Sequence, residues 1–291
     1  MFSTSVTKMG LKSGLKIYGR DIPITIDRLR INDGVIRVNP DLYPQYSHPA
    51  FIPKLPWRPL TDAETEIMTA HIDPSNVSQT IGIVKFPESV IDRLQNIIKW
   101  GETEYRNSVT SSQILAHAEY DSARTQIQEY IFQSYAIDRD FDCLGLIRCD
   151  IDLPTTTING IEFLPEKLFA GLHLDSWDYR PFRLRHLARN RICINLGREV
   201  RYFLLINRTL QQIFEDLNLV DPNDIYRDYR GVRLSLKFLR ALADYPVIRL
   251  AVYPGEAYIA PTENFIHDAT SIGKTEPDWS ITFLGRFLIP N

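Results

Sequence analysis

The sequence predicts an α+β protein in which a barrel or jelly roll of antiparallel strands is supported by amino-terminal helices. Two observations predict this class. Apolar residues recur at helical spacing mainly between residues 62 and 134. After Arg139, β-branched and aromatic runs follow one another, bounded by Gly, Pro, Asn or Asp. This order indicates a support region over residues 1–139 and a β-rich core over 140–291, together forming one compact domain.

The helices are predicted from start signals and apolar stripes. Thr61 followed by Glu64 has the pattern of a capping box, so a helix should begin there. "PESVIDRLQNIIKW" has one apolar face, and a further helix is expected over about 110–134. "TLQQIFEDLNL", capped by Thr209, and "SLKFLRALADY" should interrupt the later strands as helices. Residues 1–60, rich in Pro and turn sequences, should form short strands and irregular cover.

The strands of the predicted core share a β-branched and aromatic composition. They are "FDCLGLIRCDIDL", "KLFAGLHLDSW", "NRICINLG", "VRYFLLIN", "PVIRLAVYPGEAYIAP" and "WSITFLGRFLI". Three cysteines, Cys143, Cys149 and Cys193, lie in or beside these runs without CxxC spacing. They are expected to be reduced core residues rather than a disulfide or zinc framework.

Composition limits the classes of partner. The chain has 291 residues, 44% of them hydrophobic and 24% charged, and 33 basic against 36 acidic residues give a formal charge of -3. This balance lacks the basic footprint of a protein that binds nucleic acid or anionic membranes. Because no signal peptide or membrane span is evident, a soluble, cytoplasmic protein is expected. An exposed apolar surface on the amino-terminal part would be compatible with a homodimer.

One short motif and a distant histidine suggest a metal site. In "FAGLHLDSWDYRPF", His173 and Asp175 are two positions apart, so on a strand both side chains point to the same face. His267 follows near the end of a later apolar run. Two histidines and one carboxylate form the facial triad that binds Fe(II) and leaves positions open. The alternatives are a hydrogen-bonded pair at a strand end, and a core His267 held by Asp268 or Glu263.

A basic residue completes the pattern. Arg286 lies in the last predicted strand, where alternation places it on the face of Thr282 and Leu284. A guanidinium fixed inside a barrel implies a carboxylate partner, because an unpaired buried cation is costly. The alternative is a structural ion pair with an acidic residue.

In this order, His173-x-Asp175, His267 and Arg286 resemble the iron(II)- and 2-oxoglutarate-dependent oxygenase family over about residues 140–290. The resemblance implies a double-stranded β-helix, jelly-roll or cupin-like, with Fe(II), 2-oxoglutarate and O2 as cofactor and co-substrates. It assigns His173, Asp175 and His267 as metal ligands and catalytic residues. It assigns Arg286 to the far carboxylate of 2-oxoglutarate and Asn195 to a second polar contact with it.

Two features modify what the resemblance implies. The insert "TSIGKTEPDW" lengthens the interval after His267, so Lys274 is an alternative anchor for 2-oxoglutarate. Arg286 is favoured because Lys274, beside Gly273, is expected in an exposed turn. Asp175 stands where halogenating members have Gly or Ala, which implies hydroxylation or a related oxidation instead of halogenation.

Substrate contacts are expected around the mouth of the barrel. The loop after the HxD motif and the segment before His267 supply the candidates, which are Trp177, Asp178, Tyr179, Arg180, Glu263 and Asn264. An ordinary turn is the alternative for the segment before His267. The arginine-rich stretch "RPFRLRHLARNR" is either a solvated face or part of the pocket rim.

The expected function is therefore hydroxylation, or another oxidation, of a small molecule, an amino acid or a peptide- or carrier-linked residue. Two alternatives remain open. One is a non-enzymatic jelly-roll module that binds a ligand, with structural histidines. The other is a cupin-type metal enzyme that does not use 2-oxoglutarate.

Overall fold

The computed structural model describes residues 10–158, 167–219 and 231–290. Its α-helices are α1 (Asp62–Thr69), α2 (Glu88–Tyr105), α3 (Ser111–Leu115), α4 (Tyr120–Ser134), α5 (Leu210–Asp216) and α6 (Val232–Ala241). Short 3-10 helices cover Ile26–Arg28, Arg106–Ser108 and Phe182–Leu187. Within these ranges, no helix combines the length and apolar composition needed to cross a membrane.

Two large sheets contain most of the strands. The first six strands are β1 (Lys16–Gly19), β2 (Leu29–Ile31), β3 (Val35–Arg37), β4 (Phe51–Pro53), β5 (Arg58–Pro59) and β6 (Thr80–Lys85). The others are β7 (Asp142–Cys149), β8 (Asn190–Asn195), β9 (Arg201–Thr209), β10 (Ile248–Val252), β11 (Glu256–Ala260), β12 (Phe265–Thr270) and β13 (Asp278–Gly285). The six-stranded sheet has the order β1-β6-β11-β8-β13-β7, and the five-stranded sheet has the order β12-β9-β10-β2-β5. β3 and β4 form a separate pair.

Alternation along the strands creates two apolar cores. On β8, Ile192 and Ile194 face α2 and α4, where a cluster of buried residues covers the outer side of the six-stranded sheet. Cys193 points the other way and joins a second cluster that contains residues of both large sheets, including Phe203 of β9 and Tyr258 of β11. The face of β8 that carries Cys193 therefore looks into the space between the sheets.

The helix signals are largely confirmed. The backbone N–H of Glu64 donates to Thr61 Oγ1 over 3.2 Å, and the backbone N–H of Thr61 donates to Glu64 Oε2 over 2.8 Å. Thr209 caps α5 with a second such box. The single helix expected over 110–134 is instead two helices, α3 and α4, which are separated by a turn. The turn interrupts the predicted apolar face, so that Tyr120 is buried whereas Leu115 is 44% exposed.

The cysteines are all free, as expected. Cys149 and Cys193 are buried, whereas Cys143 is only half-buried. Burial raises the pKa of the Cys149 thiol, which keeps it protonated and inert near neutral pH.

Candidate metal centre

His173 and His267 are held side by side by the backbone. The N–H of His173 donates to the carbonyl of His267 over 3.0 Å, and the N–H of His267 donates back over 2.9 Å. This antiparallel bridge adds the HxD segment to the free edge of β12. The ring centroids of the two imidazoles are 4.7 Å apart. The early motif and the distant histidine therefore meet, as the sequence predicts.

The orientation of each imidazole is fixed by a carbonyl group. His173 Nδ1 is 2.9 Å from the carbonyl oxygen of Gly171, and His267 Nδ1 is 3.3 Å from that of Phe265. Because a carbonyl oxygen can only accept, each Nδ1 must carry a proton. The Nε2 atoms of both rings are buried and have no hydrogen-bond partner within the described chain. Metal-binding histidines in proteins commonly have their other nitrogen fixed in this way.

Gly171 is required for this arrangement. Its φ is +74°, and a Cβ at this position would come within 2.7 Å of the carbonyl oxygen of Phe51. A side chain would therefore displace the carbonyl group that orients His173.

Asp175 faces both imidazoles. Its Oδ1 is 3.6 Å from His173 Nε2, and its Oδ2 is 3.5 Å from His267 Nε2. These distances are too long for good hydrogen bonds. One potential ligand atom from each residue lies within 4.8 Å of the others, so small side-chain adjustments would bring all three to one ion. The donor set of two imidazoles and one carboxylate suits a first-row divalent ion.

The charges around the centre favour a cation. Burial alone would raise the pKa of Asp175, but Arg191, His267 and His173 together outweigh burial and hold that pKa well below its usual range. Burial lowers the pKa of His267, which favours its neutral form. Burial also opposes protonation of His173, yet Asp175 and Asp268 raise the pKa of this imidazole to about 10. A metal ion would replace the Nε2 proton in the same negative field.

Asp268 links His173 to a neighbouring loop. Its Oδ2 lies 3.3 Å from His173 Nδ1. Its Oδ1 accepts from the backbone N–H of Thr156 over 3.0 Å and from the backbone N–H and hydroxyl of Thr157, each over 3.1 Å. Asp268 thus faces His173 and not His267, so it does not satisfy the distal histidine.

Arg185 clamps the loop that follows the motif. This fully buried guanidinium donates to the carbonyl oxygen of Asp175 over 2.9 Å and to Glu263 Oε2 over 2.5 Å. The other carboxylate oxygen of Glu263 accepts from the backbone N–H of Asp178 over 2.9 Å. Asn264 is also buried and donates to the carbonyl of Ser78. Glu263 and Asn264, which are predicted to bind substrate, thus have side chains engaged within the protein.

The remaining loop candidates separate into two groups. Trp177 is 48% exposed and lines the adjacent cavity. Asp178 turns inward, where its carboxylate accepts from the backbone N–H and the Nε of Arg189 over 2.9 and 2.7 Å. Arg180 lies near the same carboxylate, at 3.7 Å, and Tyr179 is 69% exposed. Of the four, Trp177 therefore remains the candidate for contact with a ligand in this cavity.

A cavity of about 370 Å³ opens beside Asp175. Its described lining combines apolar and polar side chains, and the floor is defined as Asp175, Arg191 and Arg201. The lining comprises Leu144, Ile147, Arg148, Cys149, Asp150, Leu153, Thr156, Thr157, Ile158, Phe169, Asp175, Trp177, Arg191, Cys193, Arg201, Tyr258 and Thr282. Arg191 Nη2 is 2.6 Å from Asp175 Oδ2 without the alignment of a hydrogen bond. This size lies near the lower end of the roughly 300–1,000 Å³ typical of small-molecule sites.

A second buried guanidinium reaches the cavity floor from β9. Arg201 Nη1 donates to Asp278 Oδ2 over 3.0 Å, while its Nε has no partner in the described ranges. Lys274 contacts the other oxygen of Asp278 and donates to the carbonyl of Val200 over 3.0 Å. Lys274 is only 6% exposed, so the prediction of an exposed turn is wrong.

Arg286 and Asn195 lie away from this cavity. β13 ends at Gly285, so alternation does not continue to Arg286, whose side chain is 48% exposed and lies 3.5 Å from Asp138. The prediction of an inward-facing Arg286 is therefore wrong, and the alternative of a structural ion pair is favoured. Asn195 is buried, but its amide nitrogen donates to the carbonyls of Glu199 and Val252, and its oxygen accepts from Gly197. These backbone contacts use the amide that was assigned to 2-oxoglutarate.

Arg201 and Asp268 were missed by the sequence reasoning. Arg201 is the first residue of the run "RYFLLIN". It shares a strand face with Phe203 and Leu205, so the period of two indicates its inward direction. Asp268 directly follows His267 and was considered only as a partner of that histidine. Asp268 reaches His173 because the HxD segment pairs with β12, and no local sequence signal indicates this pairing.

Comparison with known proteins adds a weak structural likeness. No model of a known protein family matches the sequence, and no curated protein matches it. A solved structure of the Kdo hydroxylase KdoO, a non-heme Fe(II) alphaketoglutarate-dependent dioxygenase with cobalt(II), is 13% identical with a TM-score of 0.36, over 73% of this chain and 81% of that chain. The iron and alpha-ketoglutarate-dependent endoperoxidase NvfI is 11% identical with a TM-score of 0.33, over 91% and 97%. Likeness at this level does not transfer an activity, so the metal centre has to be judged by its own geometry.

Proposed function

We propose that the protein is an Fe(II)- and 2-oxoglutarate-dependent oxygenase that oxidises a small molecule. The single observation that carries this proposal is the convergence of three buried atoms that lack hydrogen bonds, Nε2 of His173, Nε2 of His267 and Oδ2 of Asp175. Buried polar atoms normally have partners. A divalent ion held by these three residues would satisfy all of them and leave coordination positions open.

The path of the chain supports a double-stranded β-helix as the frame of this site. From β7 to β13, the chain passes between the two large sheets, with β7, β8, β11 and β13 in one and β9, β10 and β12 in the other. The HxD segment supplies an eighth strand-like element through its bridge to β12. Eight elements distributed over two facing sheets, with repeated crossings from one sheet to the other, are typical of a jelly roll.

Arg201 is the residue we assign to the far carboxylate of 2-oxoglutarate, in place of Arg286 or Lys274. Asp278 is contacted by both Lys274 and Arg201, so one of these two cations exceeds the local negative charge. Arg201 lines the cavity and has an unsatisfied Nε. A guanidinium in this state offers the charge-assisted hydrogen bonds that a carboxylate requires.

Bound together at this centre, Fe(II), 2-oxoglutarate and O2 would couple decarboxylation of the keto acid to succinate with oxidation of the substrate. The residues of the chain perform the remaining tasks. The carbonyls of Gly171 and Phe265 keep both Nε2 atoms pointed at one position, and Arg185 holds the backbone of Asp175. Because Asp175 supplies a carboxylate ligand, hydroxylation or a related oxidation is proposed instead of halogenation.

The proposal is tested by anaerobic titration with Fe(II) and 2-oxoglutarate. The wild type should develop the weak visible charge-transfer absorption of the iron chelate. His173→Ala should lose this absorption, whereas His186→Ala, which removes an exposed imidazole nearby, should retain it. A wild-type protein that shows no absorption and forms no succinate with candidate substrates would contradict the proposal.

A further inference from the structure

We infer that the substrate is an uncharged, predominantly apolar small molecule that binds against the wall formed by Ile147, Leu153, Ile158, Phe169 and Trp177. This inference rests on the proposed function, since it names the substrate class of the same site. It follows from three properties of the cavity: the apolar surface at its mouth, the pairing of its charges, and the position of the wall beside Asp175.

The mouth of the cavity exposes large apolar side chains. Ile147, Ile158 and Trp177 line it and are 42%, 47% and 48% exposed. They come from three separate parts of the chain, namely β7, the loop after it and the loop after the HxD motif. Single exposed apolar residues are ordinary, but a group around one concave site marks a surface that a ligand covers.

Each charged side chain of the described lining has an ionic partner in the protein. Arg148 and Asp150 form an ion pair of 2.5 Å at the wall, Arg191 lies against Asp175, and Arg201 binds Asp278. No carboxylate in this described lining is left for a cationic substrate. The surplus positive charge lies at the floor, where it would be taken up by the co-substrate, so a second anion would compete with 2-oxoglutarate.

Arg148, which lines the cavity beside the wall, carries a hydrogen-bond donor without a partner among the described residues. The Nε of Arg148 is buried and has no partner within the described chain. It can donate to a single carbonyl or hydroxyl oxygen of a ligand. The cavity therefore suits an apolar skeleton that packs on the wall and carries an oxygen function.

The wall adjoins the proposed oxidation centre. Asp175 and Trp177 are two positions apart and both line the cavity. A molecule packed on Trp177 would present its carbon atoms next to the carboxylate that we assign to the metal. Apolar contacts would thus position a C–H bond without help from a charged anchor.

A neutral fluorescent probe tests the inference independently of turnover. N-phenyl-1-naphthylamine should bind the wild type with enhanced emission. Ile147→Lys and Ile158→Lys place an ammonium in the wall and should each weaken binding by roughly tenfold or more, because the apolar probe would have to cover a solvated charge. Ile36→Lys, which changes an equally exposed isoleucine (45%) on β3, should bind the probe like the wild type.

A turnover measurement completes the test. With iron and 2-oxoglutarate present, succinate formation by the wild type should be stimulated by neutral apolar compounds and not by amino acids or sugar acids. Failure of the probe to bind, equal binding in Ile147→Lys, or stimulation only by charged compounds would overturn the substrate class. Probe binding that responds to the lysine substitutions, in a protein that does not bind Fe(II), would instead overturn the proposed function.

Discussion

Nε2 of His267 lies 3.5 Å from Oδ2 of Asp175, and neither of these buried atoms has a hydrogen-bond partner among the described residues. A buried polar atom without a partner costs about 1–3 kcal/mol. For Asp175 Oδ2, the ion pair with Arg191 Nη2 at 2.6 Å offsets part of this cost. The fold therefore concentrates unfavourable polar burial at one point, where Arg191 and a second histidine also converge. A bound cation would relieve it, and the consequences can be measured.

Addition of Fe(II), or of a redox-inert divalent substitute, should raise the melting temperature of the wild type. An ion present at 100 times its dissociation constant stabilises the folded state by about 2.7 kcal/mol. Differential scanning calorimetry with and without a chelator measures the effect. Asp175→Asn should abolish it, and Asp121→Asn, which changes an exposed carboxylate (85%), should leave it intact. An unchanged rise in Asp175→Asn would exclude this carboxylate as a ligand.

Replacement of Arg201 should weaken 2-oxoglutarate binding. Truncating one side of a buried charge pair costs about 2–5 kcal/mol, which corresponds to roughly 30-fold or more in affinity. Calorimetric titration of the metal-loaded protein should show this loss in Arg201→Gln and partial recovery in Arg201→Lys. Arg286→Gln should bind 2-oxoglutarate like the wild type, since Arg286 lies on the surface. The reverse order of effects would restore Arg286 as the anchor.

Asp268→Asn should lower metal affinity by about 10- to 100-fold, the range typical of groups that orient a ligand. The amide can still accept from Thr156 and Thr157, so the loop should stay in place. The negative charge beside His173 Nδ1 is lost. Competition with a metal indicator gives the affinity, and Thr157→Val serves as a control for disturbance of the loop alone. Equal metal affinities in Asp268→Asn and the wild type would show that the carboxylate does not orient His173.

The capping box of α1 should make stability depend on acid pH. Hydrogen bonds from Arg58 lower the pKa of Glu64 from 4.5 to about 2. Because the folded-state pKa is the lower one, the stabilisation is complete above about pH 4.5 and is lost as the pH falls towards 2. Arg58 is 39% exposed, so solvent screening limits the effect to about 1 kcal/mol. Urea unfolding should show a difference between wild type and Glu64→Gln at pH 7 that shrinks by pH 3; a constant difference would contradict this origin.

The triad could be predicted from sequence because it needs only the period of a strand and the order of its residues along the chain. His173 and Asp175 share a strand face through the period of two, and His267 needed only a late strand. The anchor could not be predicted in the same way. Whether Arg286 points inward depends on where β13 ends. The strand ends at Gly285, one residue before Arg286, so the alternation of side chains no longer determines its direction.

Burial of charged residues was the other feature beyond the sequence. Lys274 follows a turn and is adjacent to Gly273, which suggests an exposed side chain. It is buried because it forms an ion pair with Asp278, four residues later at the start of β13. The arginine-rich stretch also looked solvated, but Arg185 and Arg189 bind the loop after the metal motif. A charged side chain is buried only where an oppositely charged or hydrogen-bonding partner compensates it, and the tertiary fold determines which partners are available.

Asp268 bonds the loop of Thr156 and Thr157, which lines the cavity, and also contacts the imidazole of His173. Asp268 therefore connects the lining of the cavity to the metal centre. A ligand that shifts this loop changes the free energy of holding the ion, and by thermodynamic reciprocity the ion changes the affinity for that ligand by the same factor. The total free energy of forming the final complex would then be the same for either order of binding. The affinity measured for each ligand would depend on whether the other is already bound.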